Sequence, residues 1–223
     1  MLLLALDAST PNVTVAVTRV DGDRREVLAE VSTTALGASE ALLPAVHAAL
    51  DLAGEDFASV GRILAGTGPG TFTGIRIAAA TARTLALGNG AALSRNSTLD
   101  ALAAPALCVT GDVLAVLDAK RGQVFARRYP GRGPENQIVC VKPEELLSEG
   151  EPIVIGDGAI RYRAVLSSLG EIPPDASPLH QVTAAGHVLS ADLAVVDAEE
   201  LVPIYVREPD AEVRRDLNPW SLR

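Results

Sequence analysis

Aromatic side chains make up only 3% of this 223-residue chain, so its core must be packed from aliphatic groups. Basic residues are outnumbered, 19 Lys and Arg against 28 Asp and Glu, for a formal net charge of −9. No basic run breaks that balance, which excludes tight binding of a polynucleotide by this chain alone, since such binding rests on cations that displace counterions from phosphates. Cysteine is almost absent. Cys108 and Cys140 show neither a C-x-x-C nor a zinc-type spacing, and the expectation is two reduced thiols in a cytoplasmic protein. The three histidines, His47, His180 and His187, form no H-x-x-x-H or H-E-x-x-H, so no metal site is expected. No G-x-S-x-G elbow is present either, which removes the usual signature of a serine hydrolase. Finally, no apolar run approaches the roughly 18 residues of a membrane span. Met1 to Leu6 is apolar, but it has no positive flank and stops at Asp7, so neither export nor anchoring is expected.

What is present is a globular composition, 48% hydrophobic and 21% charged, long enough for one large domain or two small ones. Leu2 to Leu6 predicts a buried strand that ends at Asp7. The turn Ser9-Thr10-Pro11-Asn12 and the alternation Val13, Val15, Val17 predict a hairpin partner, with a third strand over Glu26 to Thr33. Ser39 is placed to cap a helix running to about Ala53. A strand Val60 to Ala65, a glycine-rich loop and a helix Phe72 to about Leu87 follow.

From Asp112 the same order begins again. Val113 to Leu117 predicts a strand ending at Asp118, followed by strands Gln123 to Tyr129 and Ile138 to Val141 and a short helix Glu144 to Ser148. A strand Pro152 to Ile155 and a helix opening at Gly156-Asp157-Gly158 and running through Leu169 complete the copy. Asp7 thus answers to Asp118, and Gly66 to Gly156, with the second copy trimmed. Strands ending in acidic turns and alternating with helices imply two α/β lobes, 1–104 and 105–223, with a cleft between them. A further helix is expected near Gln181 to Leu193 and an extended piece at Ile204 to Val206. This final segment is free to pack back on the N-terminal lobe, with Trp220 as a packing anchor.

Two groups of residues carry candidate chemistry. The loop Gly66-Thr67-Gly68-Pro69-Gly70-Thr71-Phe72-Thr73-Gly74 lies between a strand and a helix. It has the permissive backbone and helix start that suit an anion, although a tight turn needs the same glycines. It lacks the lysine of a P-loop. The other group is Asp7 and Asp118, which as facing carboxylates can hold a magnesium-bound phosphate, with Ser9, Thr10 and Lys120 as donors; alternatively each caps its own turn. The full candidate anion or nucleotide set is Asp7, Ser9, Thr10, Gly68, Gly70, Thr71, Asp118, Lys120, Gly156 and Gly158.

The first helix is apolar around most of its circumference, with Glu40, His47 and Asp51 on one narrow stripe. Its own sheet can cover one face; the expectation is that a partner chain covers more. The second helix offers small residues for close approach, Ala78, Ala79, Ala82 and Ala86, with Arg76 and Arg83 nearby. The expected interface is Leu42, Leu43, Val46, Leu50, Arg76, Ala79 and Arg83.

Several stretches resemble the bacterial TsaB family of tRNA threonylcarbamoyladenosine biosynthesis proteins. They are Leu4-Ala5-Leu6-Asp7-Ala8-Ser9-Thr10, the glycine-rich loop through Ile75-Arg76, Leu85-Ala86-Leu87-Gly88, Ser97-Thr98-Leu99 and Asp118-Ala119-Lys120-Arg121-Gly122-Gln123-Val124. Weaker echoes lie at Ile155-Gly156-Asp157-Gly158 and Pro203-Ile204-Tyr205-Val206-Arg207. The resemblance implies a two-lobed α/β fold of the actin, Hsp70 and sugar-kinase class, built from duplicated ribonuclease-H-like lobes. It implies a non-catalytic scaffold that binds and stabilises the catalytic homologue TsaD, with the ATPase TsaE, in threonylcarbamoylation of adenosine 37 of tRNAs reading ANN codons. It also implies pairing through the first two helices, as a heterodimer or, alone, as a homodimer, with tRNA contacted only indirectly. Where the catalytic relative carries its metal-binding histidine pair, this chain has Ser97-Thr98-Leu99-Asp100-Ala101. Ala8 and Ala119 stand beside the aspartates where actin-like phosphate loops have glycine, so no cofactor is expected. ATP and magnesium belong to the competing reading, a small actin-like kinase using Asp7, Asp118 and Lys120.

Overall fold

In the computed structural model, which describes residues 1–34, 37–131, 133–134, 137–147 and 149–206, five strands form the first sheet. They are β1 (Leu2–Asp7), β2 (Val13–Asp21), β3 (Arg24–Thr33), β4 (Val60–Gly66) and β5 (Ala92–Asn96), in the order β3-β2-β1-β4-β5. β1 to β3 are antiparallel neighbours, whereas β4 pairs parallel to both β1 and β5. A second sheet repeats the order with β6 (Asp112–Lys120), β7 (Gln123–Pro130), β8 (Val139–Val141) and β9 (Ile153–Ile155) arranged β8-β7-β6-β9, again with one parallel pair at β6 and β9. Two copies of this antiparallel-then-parallel sheet are the two ribonuclease-H-like lobes of the actin, Hsp70 and sugar-kinase class.

β1 is wholly apolar up to Asp7 because both of its faces are covered. Leu2, Leu4 and Leu6 point toward α1 (Ala38–Ala53) and α2 (Phe72–Asn89), while Leu3 and Ala5 point toward α6 (Ala184–Ser190). β6 behaves alike. Val113, Ala115 and Leu117 pack on α3 (Thr98–Leu107), and Leu114 and Val116 face the side of α4 (Asp157–Arg161) and α5 (Arg163–Leu166). At the edge, β3 carries the charged residues Arg24, Arg25, Glu26 and Glu30, which blunt further strand pairing.

Several local expectations are corrected. Gly37, not Ser39, is the N-cap of α1, and no side chain caps it. β5 and α3 had no counterpart in the sequence reading, because α3 is buried around most of its circumference and so shows no amphipathic stripe. Consequently the division expected after residue 104 falls inside α3. The helix expected at Glu144 to Ser148 is a single 3-10 turn, Pro143–Glu145, and that turn in place of the 16-residue α1, with the three-residue β8 in place of the ten-residue β3, accounts for the trimming of the second copy. The long helix expected through Leu169 is broken at Tyr162 into α4 and α5, and the C-terminal helix is confined to Ala184–Ser190 after a 3-10 turn at Pro178–His180. Trp220 and Arg207 lie outside the described residues.

α6 joins the lobes. Its first-turn N–H groups are received by Thr183, by Thr14 of β2 and by Glu30 of β3, which fixes it on the first sheet. It also packs against α3, and at Gly186 a Cβ would come within 2.3 Å of the Ala101 carbonyl oxygen, so the crossing requires glycine. Beyond it, Leu201 is buried with the apolar cluster under α1 and α2, and Ile204 N–H donates to Thr67 O.

Candidate functional site

Asp7 sits at the carboxyl end of β1 with no exposed surface, and both its oxygens are engaged. Oδ1 accepts from Ser9 N–H (2.5 Å) and Ser9 Oγ (2.6 Å); Oδ2 accepts from Thr98 Oγ1 (2.9 Å) and lies 2.7 Å from His187 Nε2. Asn96 Nδ2 lies 3.3 Å from His187 Nδ1 and, as a donor, leaves Nε2 as the nitrogen that donates to Asp7. His187 is fully buried as well. Burial by itself would raise the Asp7 carboxyl. The hydrogen bond from His187, with those from Ser9, overcomes it and holds the group below its ordinary 3.8. This network closes over a carboxylate that the sequence reading placed in an open cleft.

The glycine-rich loop serves the same packing. An added Cβ at Gly66 would lie 1.9 Å from Asp7 Oδ2, at Gly70 2.1 Å from Ser9 O, and at Gly74 1.8 Å from Ala8 O. Thr71 N–H donates to Ser9 O, and Gly68 O receives Thr98 N–H. Those close approaches are filled by the turn after β1, so the glycines are explained without an anion. Gly156 and Gly158 do likewise against Val116 and Leu117 of β6.

The second aspartate has a different setting. Asp118 Oδ1 accepts from Lys120 N–H (2.9 Å), and Oδ2 meets Lys120 Nζ at 2.9 Å and Arg161 Nε at 3.6 Å, both cations being largely exposed. Asp157 Oδ1 accepts Asp118 N–H at 2.9 Å. Burial, with the charge of Asp118, raises the Asp157 carboxyl against the opposing hydrogen bonds and Lys120. Lys120 and Arg121 both adopt left-handed backbone, φ 61° and 54°, at the β6–β7 turn. The cleft between the lobes is lined by Ser9, Thr10, Gly70 and Thr71 on one side and Asp118, Lys120 and Asp157 on the other. It thus brings together six of the ten candidates, and leaves Asp7, Gly68, Gly156 and Gly158 out. Its free volume is about 10 Å³, room for a water rather than a ligand. The residues do not fit a nucleoside triphosphate with magnesium: one of the two carboxylates is sealed inside, and the glycine cradles are occupied by backbone. Among the described residues no three His, Cys, Asp or Glu side chains converge as a metal site.

The α1–α2 layer also departs from expectation. Leu42, Val46 and Leu50 are buried against the chain's own sheet, as is Ala79, so these four are withdrawn from the expected contact surface. The reason is that β2, β3 and α2 flank α1 more fully than a one-face estimate allows. Leu43 and Arg76 stay exposed, together with Leu52, Phe72 and Leu87. Arg83 is half-buried and donates to Leu201 O. Arg76 stacks on Phe72 with its guanidinium carbon 3.7 Å from the ring centre, and its Nε donates to Tyr205 Oη.

His187, Thr98 and Asn96 were missed as members of the Asp7 network. The only sequence clue was a histidine set among Ala184, Ala185, Gly186 and Val188.

Residues 32–153 match the family model for TsaD, tRNA N6-adenosine threonylcarbamoyltransferase. The Escherichia coli tRNA threonylcarbamoyladenosine biosynthesis protein TsaB is 30% identical over 226 residues, covering 93% of this chain and 95% of that one. The chain belongs to the TsaB family. The Bacillus subtilis TsaB is 29% identical over 96% of this TsaB-family chain and 97% of its own. An uncharacterised protein of Mycobacterium tuberculosis is 32% identical over 94% of this chain and 93% of its own. The solved structure of YeaZ from Pseudomonas aeruginosa superposes with a TM-score of 0.75 at 25% identity, covering 92% of this chain and 99% of that one. The fold of the TsaB-family chain is therefore shared from end to end of that structure.

Proposed function

We propose that this chain is the non-catalytic subunit of a tRNA-modifying assembly that forms threonylcarbamoyladenosine, acting in the cytoplasm by docking on and stabilising a catalytic TsaD homologue, with TsaE as the ATPase of the complex. The observation that carries this reading is the sealed Asp7: the carboxylate that a phosphotransferase of this fold would present to its cleft is instead tied to His187, Thr98 and Ser9 inside the protein. Family membership supports the pathway, and the acidic surface supports an indirect relation to tRNA. The docking face is the outer side of α1 and α2, where Leu43, Leu52, Phe72 and Leu87 remain exposed. Alone, two copies pair through this face. In this reading residues 1–104 hold the docking lobe and 105–223 the second lobe, whose last part returns to the first.

The test is co-purification of the full chain with the TsaD homologue of the same organism. Leu43→Glu is expected to abolish retention and to convert a homodimer to a monomer by light scattering, while Leu147→Glu, at a more exposed leucine of the second lobe, leaves both unchanged. Equal retention of wild type and Leu43→Glu would remove α1 from the interface. Submillimolar binding of ATP-magnesium that is lost in Asp118→Ala would favour a kinase instead.

A further inference from the structure

Residues 180–182 of the returning chain are bonded to both walls of the interlobe cleft. His180 ends the 3-10 turn Pro178–His180 and is 5% exposed. Its Nδ1 accepts the Gly156 N–H at 3.1 Å, and its Nε2 lies 3.2 Å from Pro173 O. A ring nitrogen that accepts carries no proton, so His180 is neutral, holds its proton on Nε2 and donates it to that carbonyl. Gly156 is the N-cap of α4 and directly precedes Asp157, part of the second-lobe wall. Two residues after His180, Val182 O accepts from Asn12 Nδ2 at 3.2 Å. Asn12 follows Ser9, Thr10 and Pro11, the first-lobe wall, and its N–H donates to Thr10 Oγ1. One wall thus hangs on a histidine ring and the other on a carbonyl, with Gln181 between them, and the walls leave only about 10 Å³.

The two buried histidines of this segment answer an added proton differently. His187 has the Asp7 carboxylate at 2.7 Å to pair with. On His180 the proton falls on Nδ1, where it turns the acceptor of the Gly156 N–H into a second donor. The charged groups around it do not compensate. Arg163 of α5 already sets a cation on the same Pro173 carbonyl, at 2.6 Å, and pairs with Asp175. On α4, Asp157 is engaged by Asp118 N–H and the exposed Arg161 faces Asp118. α3 also packs on the 3-10 turn, and its one charged residue, Asp100, is held by Arg127 and Tyr129.

We propose that residues 180–182 are a proton-sensitive clasp on the interlobe cleft. With His180 neutral, the ring and the Val182 carbonyl hold the two walls together. Protonation of His180 releases Gly156 at the start of α4, draws Val182 away from Asn12, and lets the lobes part.

The experiment is an NMR titration of the full chain from about pH 7.5 to about pH 5, a range in which a histidine ordinarily takes a proton while Asp7 stays ionised. The Gly156 amide and the Asn12 side-chain amide are expected to shift together, with the midpoint of the His180 ring signals. His180→Asn, whose Oδ1 accepts the Gly156 N–H without titrating, is expected to abolish both shifts. His180→Ala is expected to speed exchange of the Gly156 amide by about tenfold at neutral pH. Should the variants fail to fold, the wild-type midpoints read against the His180 ring decide. A Gly156 shift that survives in His180→Asn, or that departs from the midpoint of the His180 ring, belongs to the neighbouring Asp157 and overturns the proposal. So does a Gly156 amide that does not move, or one that moves while Asn12 stays in place.

Discussion

Asp7 and Asp118 end the first strands of two lobes with the same sheet order, and the fold treats them in opposite ways. Asp7 is enclosed by α6 and α3, so Thr98 and His187 reach it from 91 and 180 positions away. Asp118 accepts from its neighbour Lys120 and lies 3.6 Å from the exposed Arg161. Internal repetition therefore predicts where a carboxylate stands in a sheet, but its environment is set by whichever element lands on the strand end. An enclosed carboxylate with a buried histidine partner is structural; the Asp118 side chain is covered as well, only 4% exposed, but its cations stay in water and remain solvated without it.

The sharpest way to break that contrast is to remove each aspartate. Asp7→Ala strands a buried histidine and is expected to cost about 3–5 kcal/mol in urea unfolding, against about 1–2 kcal/mol for Asp118→Ala, whose cation partners stay in water. Equal losses would end the distinction. Gly74→Ala comes next, because its Cβ would meet the Ala8 carbonyl oxygen at 1.8 Å and force the loop away from the Asp7 turn. A cost of about 3 kcal/mol is expected, whereas Gly88→Ala, in the same helix with open space around it, gains up to about 1 kcal/mol.

Acid sharpens the comparison further. Because the folded Asp7 carboxyl lies below its ordinary 3.8, its contribution is fully present above about that pH and is lost as pH falls through the folded value. Urea midpoints of wild type should fall steeply below about pH 4, and Asp7→Asn should flatten that limb while lowering the plateau. Asp157 has the reverse sign. Its raised carboxyl binds its proton more readily folded than unfolded, so it lowers stability progressively as pH rises from 3.8 through the raised value. Asp157→Asn keeps the acceptor for Asp118 N–H and should bring a small gain, under about 1 kcal/mol, at neutral pH and none at pH near 3. A loss at neutral pH would mean that the charge of Asp157 is used.

Much of the first sheet was legible along the chain. The run at Leu2 to Leu6, the valine alternation after Asn12 and the apolar Val60 to Ala65 stretch each state a strand because burial on one or two faces leaves a period in the sequence. The motif around Gly66 to Gly74 was also legible as a place of close approach. What approached was not: the glycines admit Asp7, Ser9 and Ala8, and no local signal separates a neighbouring turn from a ligand. α1 shows the same limit. Counting apolar residues around its circumference left Leu43, which is exposed, in one group with Leu42, Val46 and Leu50, which the chain's own strands cover.

By itself, then, the sequence determined the α/β class, the repeated strand order and the family, since hydrophobic period and glycine spacing are properties of neighbouring residues. Only the tertiary structure decided that α6 returns to cap the first sheet and that His187 pairs with Asp7. Those outcomes join residues nearly the whole chain apart, and their energies come from burial and from charge in a low-dielectric interior, neither of which exists before the chain has folded.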